Sequence, residues 1–253
     1  MKIKKLTLLK RLTAKLKTYA RPVFYGAALG SILALVPFLP QAHETYLINK
    51  LSPSVVKITP VGNSFTGGTG FQLNTPKGPR IITNAHVCEV SDNGTVLLHT
   101  DKPKKIAKII KVDDIADLCM IEPIGDMPSL NLGSSASLRQ EIAVLGHPLL
   151  QPQTFSKGRV LSKELIEIPL GYADAEGKCD HIPMTYPENT FFGLLCFKAY
   201  MGVLTSAIIH PGNSGSPVVN IWGNVVGVVF AGNSRNHNGI YVPYEELERF
   251  INQ

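Results

Sequence analysis

The chain has 253 residues, 44% of them hydrophobic and 17% charged, which excludes a disulfide miniprotein and a disordered polypeptide and allows one large core or two smaller ones. A formal charge of +6 invites a nucleic-acid surface, but Lys2, Lys4, Lys5, Lys10, Arg11, Lys15, Lys17 and Arg21 crowd the first 21 residues without an acid. The rest of the chain is slightly acidic, so the basic balance belongs to a tail and no nucleic-acid partner is expected.

Residues 1–21 form that basic tail, whose LTLLKRLTAKLKTY is compatible with an amphipathic helix on a membrane surface. Its charges read more simply as an orientation signal. Residues 22–40, PVFYGAALGSILALVPFLP, carry no charge. They predict an N-terminal transmembrane helix at the short end of what spans hydrocarbon, with the apolar stretch of a cleaved signal peptide as the alternative. Pro40 stands where cleavage wants a small residue, which favours the uncleaved anchor. The tail then stays in the cytoplasm and the remainder lies outside, on the periplasmic or extracellular side; a cleaved segment would give a secreted protein.

From Leu51 on, strand-length apolar runs alternate with Gly, Pro, Asn and Asp: SVVKI, TGFQL, RIITN, TVLLHT, AKIIKV, DLCMIE, EIAVLG, GRVLS, FFGLLCF, MGVLTSAII, SPVVNI, NVVGVVFAG and GIYVP. The pattern predicts an all-β fold closed by one helix, PYEELERFINQ. NLGSSASLRQ, residues 131–140, reads as a linker between halves placed at 45–133 and 134–253. Residues 163–198 are less regular and read as a long surface excursion.

HPGNSGSPVVN sets Ser214 in a glycine-rich turn. Gly212 permits a tight turn in which its N–H and that of Ser214 face one oxyanion, and Gly215 lets the chain pass close behind the nucleophile. Serine needs a base and the base needs an orienting group. TNAHVCE supplies His86 at the end of a strand, and DDIADLCMIE supplies Asp117 at the start of another. Asp113 and Asp114 are weaker candidates because only Asp117 directly precedes the apolar run. Each feature alone is commonly structural; together, in the order His, Asp, Ser, they match one of the known triad arrangements. His147, His181, His210 and His237 lack such context and read as structural or exposed, although His210 lies near enough to Ser214 to touch substrate.

With these motifs in place, the chain resembles trypsin-like serine proteases of the HtrA/Deg type over most of residues 51–244. TGGTGFQLNTPKGPRIITNAHVCE resembles that family's strand pair leading to the catalytic His. DLCMIE resembles its Asp strand, LGSSASLRQEIAVLGHP its inter-barrel linker, and LTSAIIHPGNSGSPVVNIWGNVVGVV its nucleophile loop and following hairpin. The resemblance implies two perpendicular six-stranded β-barrels of chymotrypsin type and a serine endopeptidase acting on polypeptides without a cofactor. It also implies pocket residues for the side chain before the cut: Ile208 and Ile209 as floor and wall, Val229, Phe230, Ala231 and Gly232 as the backbone-pairing strand, and Gly239 and Tyr241 on the opposite wall. No acid or lysine stands among them, so cleavage after medium apolar residues is expected. Ser216 departs from the family's usual glycine, Asn213 replaces the acid that pairs with a newly cut N-terminus in digestive trypsins, and no PDZ domain is expected after Tyr244. A catalytically silent or ligand-regulated binding module is the alternative function, a non-peptide esterase a third.

Cys88, Cys119, Cys179 and Cys196 show no C-x-x-C spacing, which argues against zinc. Cys88 and Cys119 each follow a triad residue by two positions, so joining His86 to Asp117 brings them together; Cys179 and Cys196 would staple the excursion. Four unpaired buried thiols are the alternative. Neither substrate nor oligomeric state is legible.

Overall fold

The computed structural model describes residues 39–62, 65–89, 93–100, 104–172, 178–179, 185–190, 193–232 and 238–253. The chain divides into two compact units between Tyr46 and Leu47, and both barrels lie in the second.

In the first barrel, β1 (Val55–Pro60), β2 (Gly68–Thr75), β3 (Gly78–Thr83), β4 (Thr95–His99), β5 (Lys105–Asp113) and β6 (Leu118–Ile121) pair in the order β1-β2-β3-β6-β5-β4 and close through β1 with β4. The second contains β7 (Glu141–Gly146), β8 (Thr154–Tyr172), β9 (Thr185–Thr190), β10 (Gly193–Ile208), β11 (Pro217–Val219), β12 (Val225–Gly232) and β13 (Asn238–Pro243). Its order is β13-β12-β11-β7-β8-β10-β9, and pairing of β13 with β10 closes six strands while β9 stays outside the ring. Every pairing between these strands is antiparallel. A helical turn, α2 (Ala85–Cys88), follows β3, and helix α3 (Tyr244–Asn252) follows β13.

Three apolar clusters explain why many strands read as continuous hydrophobic runs. Val56, Ile58, Ile81, Val96, Leu98, Cys119 and Ile121 fill the first barrel. Ile142, Val144, Val203, Val218, Val226 and Tyr241 fill the second. A third cluster joins Phe71, Leu118 and Met120 of the first barrel to Leu145, Val219 and Val228 of the second. Strand β6 therefore buries both faces, Cys119 and Ile121 inward and Leu118 and Met120 toward the seam, and loses the polar alternation of a half-solvated strand. Helix α3 starts after Pro243, carries Glu245 and Glu246 in its first turn, where they favour the helix dipole, and lays Leu247, Phe250 and Ile251 into the same seam.

Three parts differ from expectation. Helix α1 (Leu39–Leu51) carries no amphipathic signature in the sequence because only Leu47 and Leu51, one turn apart, form its deeply buried stripe. The excursion is a β-ribbon: β8 and β10 stay paired from Val160 with Thr205 out to Tyr172 with Leu195, and β9 adds to the far end. The expected tail helix and almost all of the expected transmembrane segment lie outside the described residues, while Leu39 and Pro40 belong to α1. Among the described residues no helix is long and apolar enough to cross a membrane.

Candidate active site

His86 sits in α2, just past the end of β3 and not within the strand, and Asp117 occupies the residue before β6. Pairing of Thr83 with Cys119 brings the two segments together. Asp117 holds a left-handed backbone, φ 51°, a conformation that aspartate tolerates better than most residues. Asn84 steadies it, donating its side-chain amide to the Asp117 carbonyl at 2.9 Å. The carboxylate takes two donors from His86: the backbone N–H reaches Oδ1 at 3.0 Å and ring Nδ1 reaches Oδ2 at 2.9 Å. A carboxylate only accepts, so Nδ1 carries the proton and Nε2 keeps its lone pair. The Asp117 side chain is 4% exposed against 43% for His86: the orienting group is inside and the base faces out. Burial pulls the His86 pKa down, but the hydrogen bond it donates to Asp117, the charge of that carboxylate and that of Glu89 outweigh it and leave the pKa raised above 6.5.

Asp113 is engaged elsewhere, accepting the N–H groups of Ile115 and Ala116 and pairing with Arg249 at 2.8 Å.

Ser214 lies in the turn between β10 and β11. Its hydroxyl donates to the Phe230 carbonyl at 3.2 Å and not to His86. The Phe230 ring meets the His86 ring edge-on, with centroids 6.0 Å apart. Gly212 has φ +89° and Gly215 φ +85°, values suited to glycine. At Gly215 a side chain would collide with the Thr69 carbonyl and the Thr83 hydroxyl, so the close passage behind the nucleophile is real. Ser216 is fully buried, and its Oγ lies with the Asn213 side-chain oxygen against Gly146.

The expected pocket residues separate. Ile208 is 54% exposed, whereas Ile209 is 3% exposed and belongs to the core of the second barrel. Gly232 and Gly239 face each other across β12 and β13, and a side chain on either would strike Ile209. The Ile209 side chain therefore packs against Gly239 and its carbonyl against Gly232, and it is not the open wall expected of it. Val229 and Tyr241 are buried, Phe230 is partly buried, and Ala231 pairs with Ile240. Both cysteine pairs are disulfides: Cys88–Cys119 with Cα atoms 6.5 Å apart and Cys179–Cys196 at 5.5 Å.

Two barrels flanking a histidine, a buried aspartate and a serine in a glycine turn define a trypsin-like peptidase domain. The family model of that description, Trypsin-like peptidase domain, matches residues 68–228, and the chain belongs to this family. Among curated relatives, it is 28% identical to Serine protease HTRA2, mitochondrial, of Bos taurus, over 90% of this chain and 47% of that protein. It is 27% identical to Serine protease Do-like HtrB of Bacillus subtilis, over 88% of this chain and 56% of that one. The chain thus spans about half the length of these relatives. Among solved structures, the active form of the Rv3671c protease from M. tuberculosis superposes with a TM-score of 0.60, at 23% identity over 79% of this chain and 80% of that one, a likeness of fold.

Proposed function

We propose that the chain is a serine endopeptidase in which Ser214 is the nucleophile, His86 the general base and acid, and Asp117 the group that orients and charges the imidazole. The observation that carries this reading is the paired hydrogen bonding of His86 to Asp117, which leaves Nε2 as an acceptor on the exposed side. In the reaction the Ser214 hydroxyl would leave the Phe230 carbonyl and donate to that nitrogen instead. Oγ then attacks the peptide carbonyl as its proton passes to Nε2. The oxyanion is held by the N–H groups of Gly212 and Ser214, and the imidazolium returns the proton to the leaving amine. Water, deprotonated by the same His86, releases the acyl group from Ser214.

The experiment that tests this is labelling of the full chain with a fluorophosphonate probe. Labelling is expected for the wild type and lost in Ser214→Ala and His86→Ala. A folded wild type that stays unlabelled would favour the silent or ligand-regulated module, a reading that the Ser214 to Phe230 hydrogen bond lends some support.

Specificity follows from Ile209. Because its side chain packs against Gly239, the site suits small to medium apolar residues before the cut and offers no counter-charge for Lys or Arg. Ile209→Val removes one methylene at a stability cost of about 1 kcal/mol. It should raise kcat/KM for a residue one methylene longer by about 10-fold relative to wild type. Profiling both proteins on a peptide library checks this, and preference for a basic or acidic residue would rule it out. The uncharged segment 22–40 and the two disulfides support an anchored domain in an oxidising compartment outside the cytoplasm.

A further inference from the structure

Ser214 ends a turn in which every carbonyl from His210 to Ser214 has a donor. Asn213 N–H closes the turn on the His210 carbonyl at 3.1 Å, and Pro211 with Gly212 at its centre fits a type II geometry. The Pro211 carbonyl accepts from Leu149 N–H at 2.6 Å and the Asn213 carbonyl from Ser216 N–H at 2.9 Å. The remaining two carbonyls are both held by Thr69 in β2: its hydroxyl donates to Gly212 at 2.8 Å and its N–H to Ser214 at 2.8 Å. In a trans peptide the N–H points opposite the C=O. Fixing the carbonyls of Pro211 and Asn213 therefore aims the N–H groups of Gly212 and Ser214 away from them, and among the described residues neither N–H has a protein partner.

Among the described residues Thr69 supplies the one side-chain hydrogen bond to a carbonyl of this turn, that of Gly212, and its hydroxyl works in both directions. While donating to Gly212 its hydroxyl accepts His147 N–H at 2.9 Å, so it joins the turn to the segment that presents Leu149. That segment is itself constrained, since Leu149 and Leu150 hold φ of 52° and 58°. Thr69 is fully buried, so water cannot replace its hydroxyl without rearrangement. We propose that Thr69 is a positioning residue for the peptidase reaction, its hydroxyl locking the oxyanion-binding turn in the orientation that exposes the Gly212 and Ser214 N–H groups. The inference rests on the peptidase reading above.

The test compares the full-length wild type with Thr69→Val, Thr69→Ala and Thr69→Ser on one apolar peptide substrate and on a peptide boronate of the same sequence. The boronate forms a tetrahedral adduct on Ser214 and so reports on the oxyanion site directly. Val keeps the shape and loses the hydroxyl; Ala loses it without adding bulk, so the question stays open to test if the Val variant does not fold. Both should lower kcat by about 100-fold, comparable to losing one oxyanion donor. KM should stay within about 3-fold, boronate affinity should fall in step with kcat, and Ser should retain at least about a third of wild-type kcat. Folded Val or Ala variants with wild-type kcat, a loss confined to KM, or a Ser variant as impaired as Val would overturn the proposal. A wild type that neither turns over peptide nor binds boronate would instead overturn the peptidase reading beneath it.

Discussion

Replacing Asp117 by Asn should lower kcat by about 10⁴-fold while leaving the fold intact. The size of the effect comes from a proton on the wrong nitrogen. In the wild type Oδ1 accepts His86 N–H and Oδ2 accepts ring Nδ1. An asparagine can keep the first bond with its oxygen, but its NH₂ then faces Nδ1. Two donors cannot share that contact, so the ring moves its proton to Nε2, the atom that has to accept from Ser214. The pH profile separates this cause from simple damage. With the His86 pKa above 6.5 in the wild type, the neutral base is lost as pH falls, and kcat/KM should decline on the acid side starting above pH 6.5. In Asp117→Asn the hydrogen bond to the carboxylate and its charge are gone and burial, which lowers the pKa, remains. The acid limb of the residual activity should then move to lower pH. Steady-state kinetics across pH on both proteins measures it; an unmoved acid limb, or a loss below 10-fold, would remove Asp117 from the role given to it.

What the sequence disclosed about this site and what it hid divide along the range of the interactions. The strands of both barrels, α3 and the approximate positions of His86, Asp117 and Ser214 were legible because each is written in a local run: apolar residues of strand length, a proline and two glutamates before an amphipathic turn, glycines around a serine. The ribbon of β8 and β10 was not. FFGLLCF reads as a strand-length run at the outer end of β10, but the facing part of β8 carries exposed Lys163, Glu164 and Glu167 beyond the barrel core, so no continuous buried face marked the pair. Ile208 and Ile209 show the cost of one residue of register. An irregularity in the β10 to β13 pairing between Thr205 and Ile208 decides which isoleucine turns inward, and no spacing in the sequence reports it. Thr69 was hidden more completely. A threonine in a strand is ordinary, and what distinguishes this one is a hydrogen bond to Gly212 on the other barrel.

The two disulfides should contribute unequally. Cys88 closes on Cys119 across 31 positions, for which loop entropy alone gives about 3 to 4 kcal/mol. Both cysteines are buried in the core of the first barrel, so this crosslink can open only with the barrel. It also ties α2, which carries His86, to β6, which follows Asp117. Cys88→Ala with Cys119→Ala should lower Tm by roughly 10 °C, taking about 2 to 4 °C per kcal/mol for a unit of this size. Below the new transition kcat should fall far less than in Asp117→Asn, because the two hydrogen bonds to the carboxylate do not pass through sulfur. Cys179 and Cys196 span 17 positions, a loop term of about 3 kcal/mol by the same relation. Yet Cys196 pairs with Pro187 of β9 at the outer end of the ribbon, where strands can part while the barrel stays closed. Its replacement should shift the main transition by only a few degrees and show instead as faster hydrogen exchange in the ribbon. Calorimetry on the two double variants decides between local and global crosslinks: equal shifts would mean that ribbon and barrel unfold as one unit.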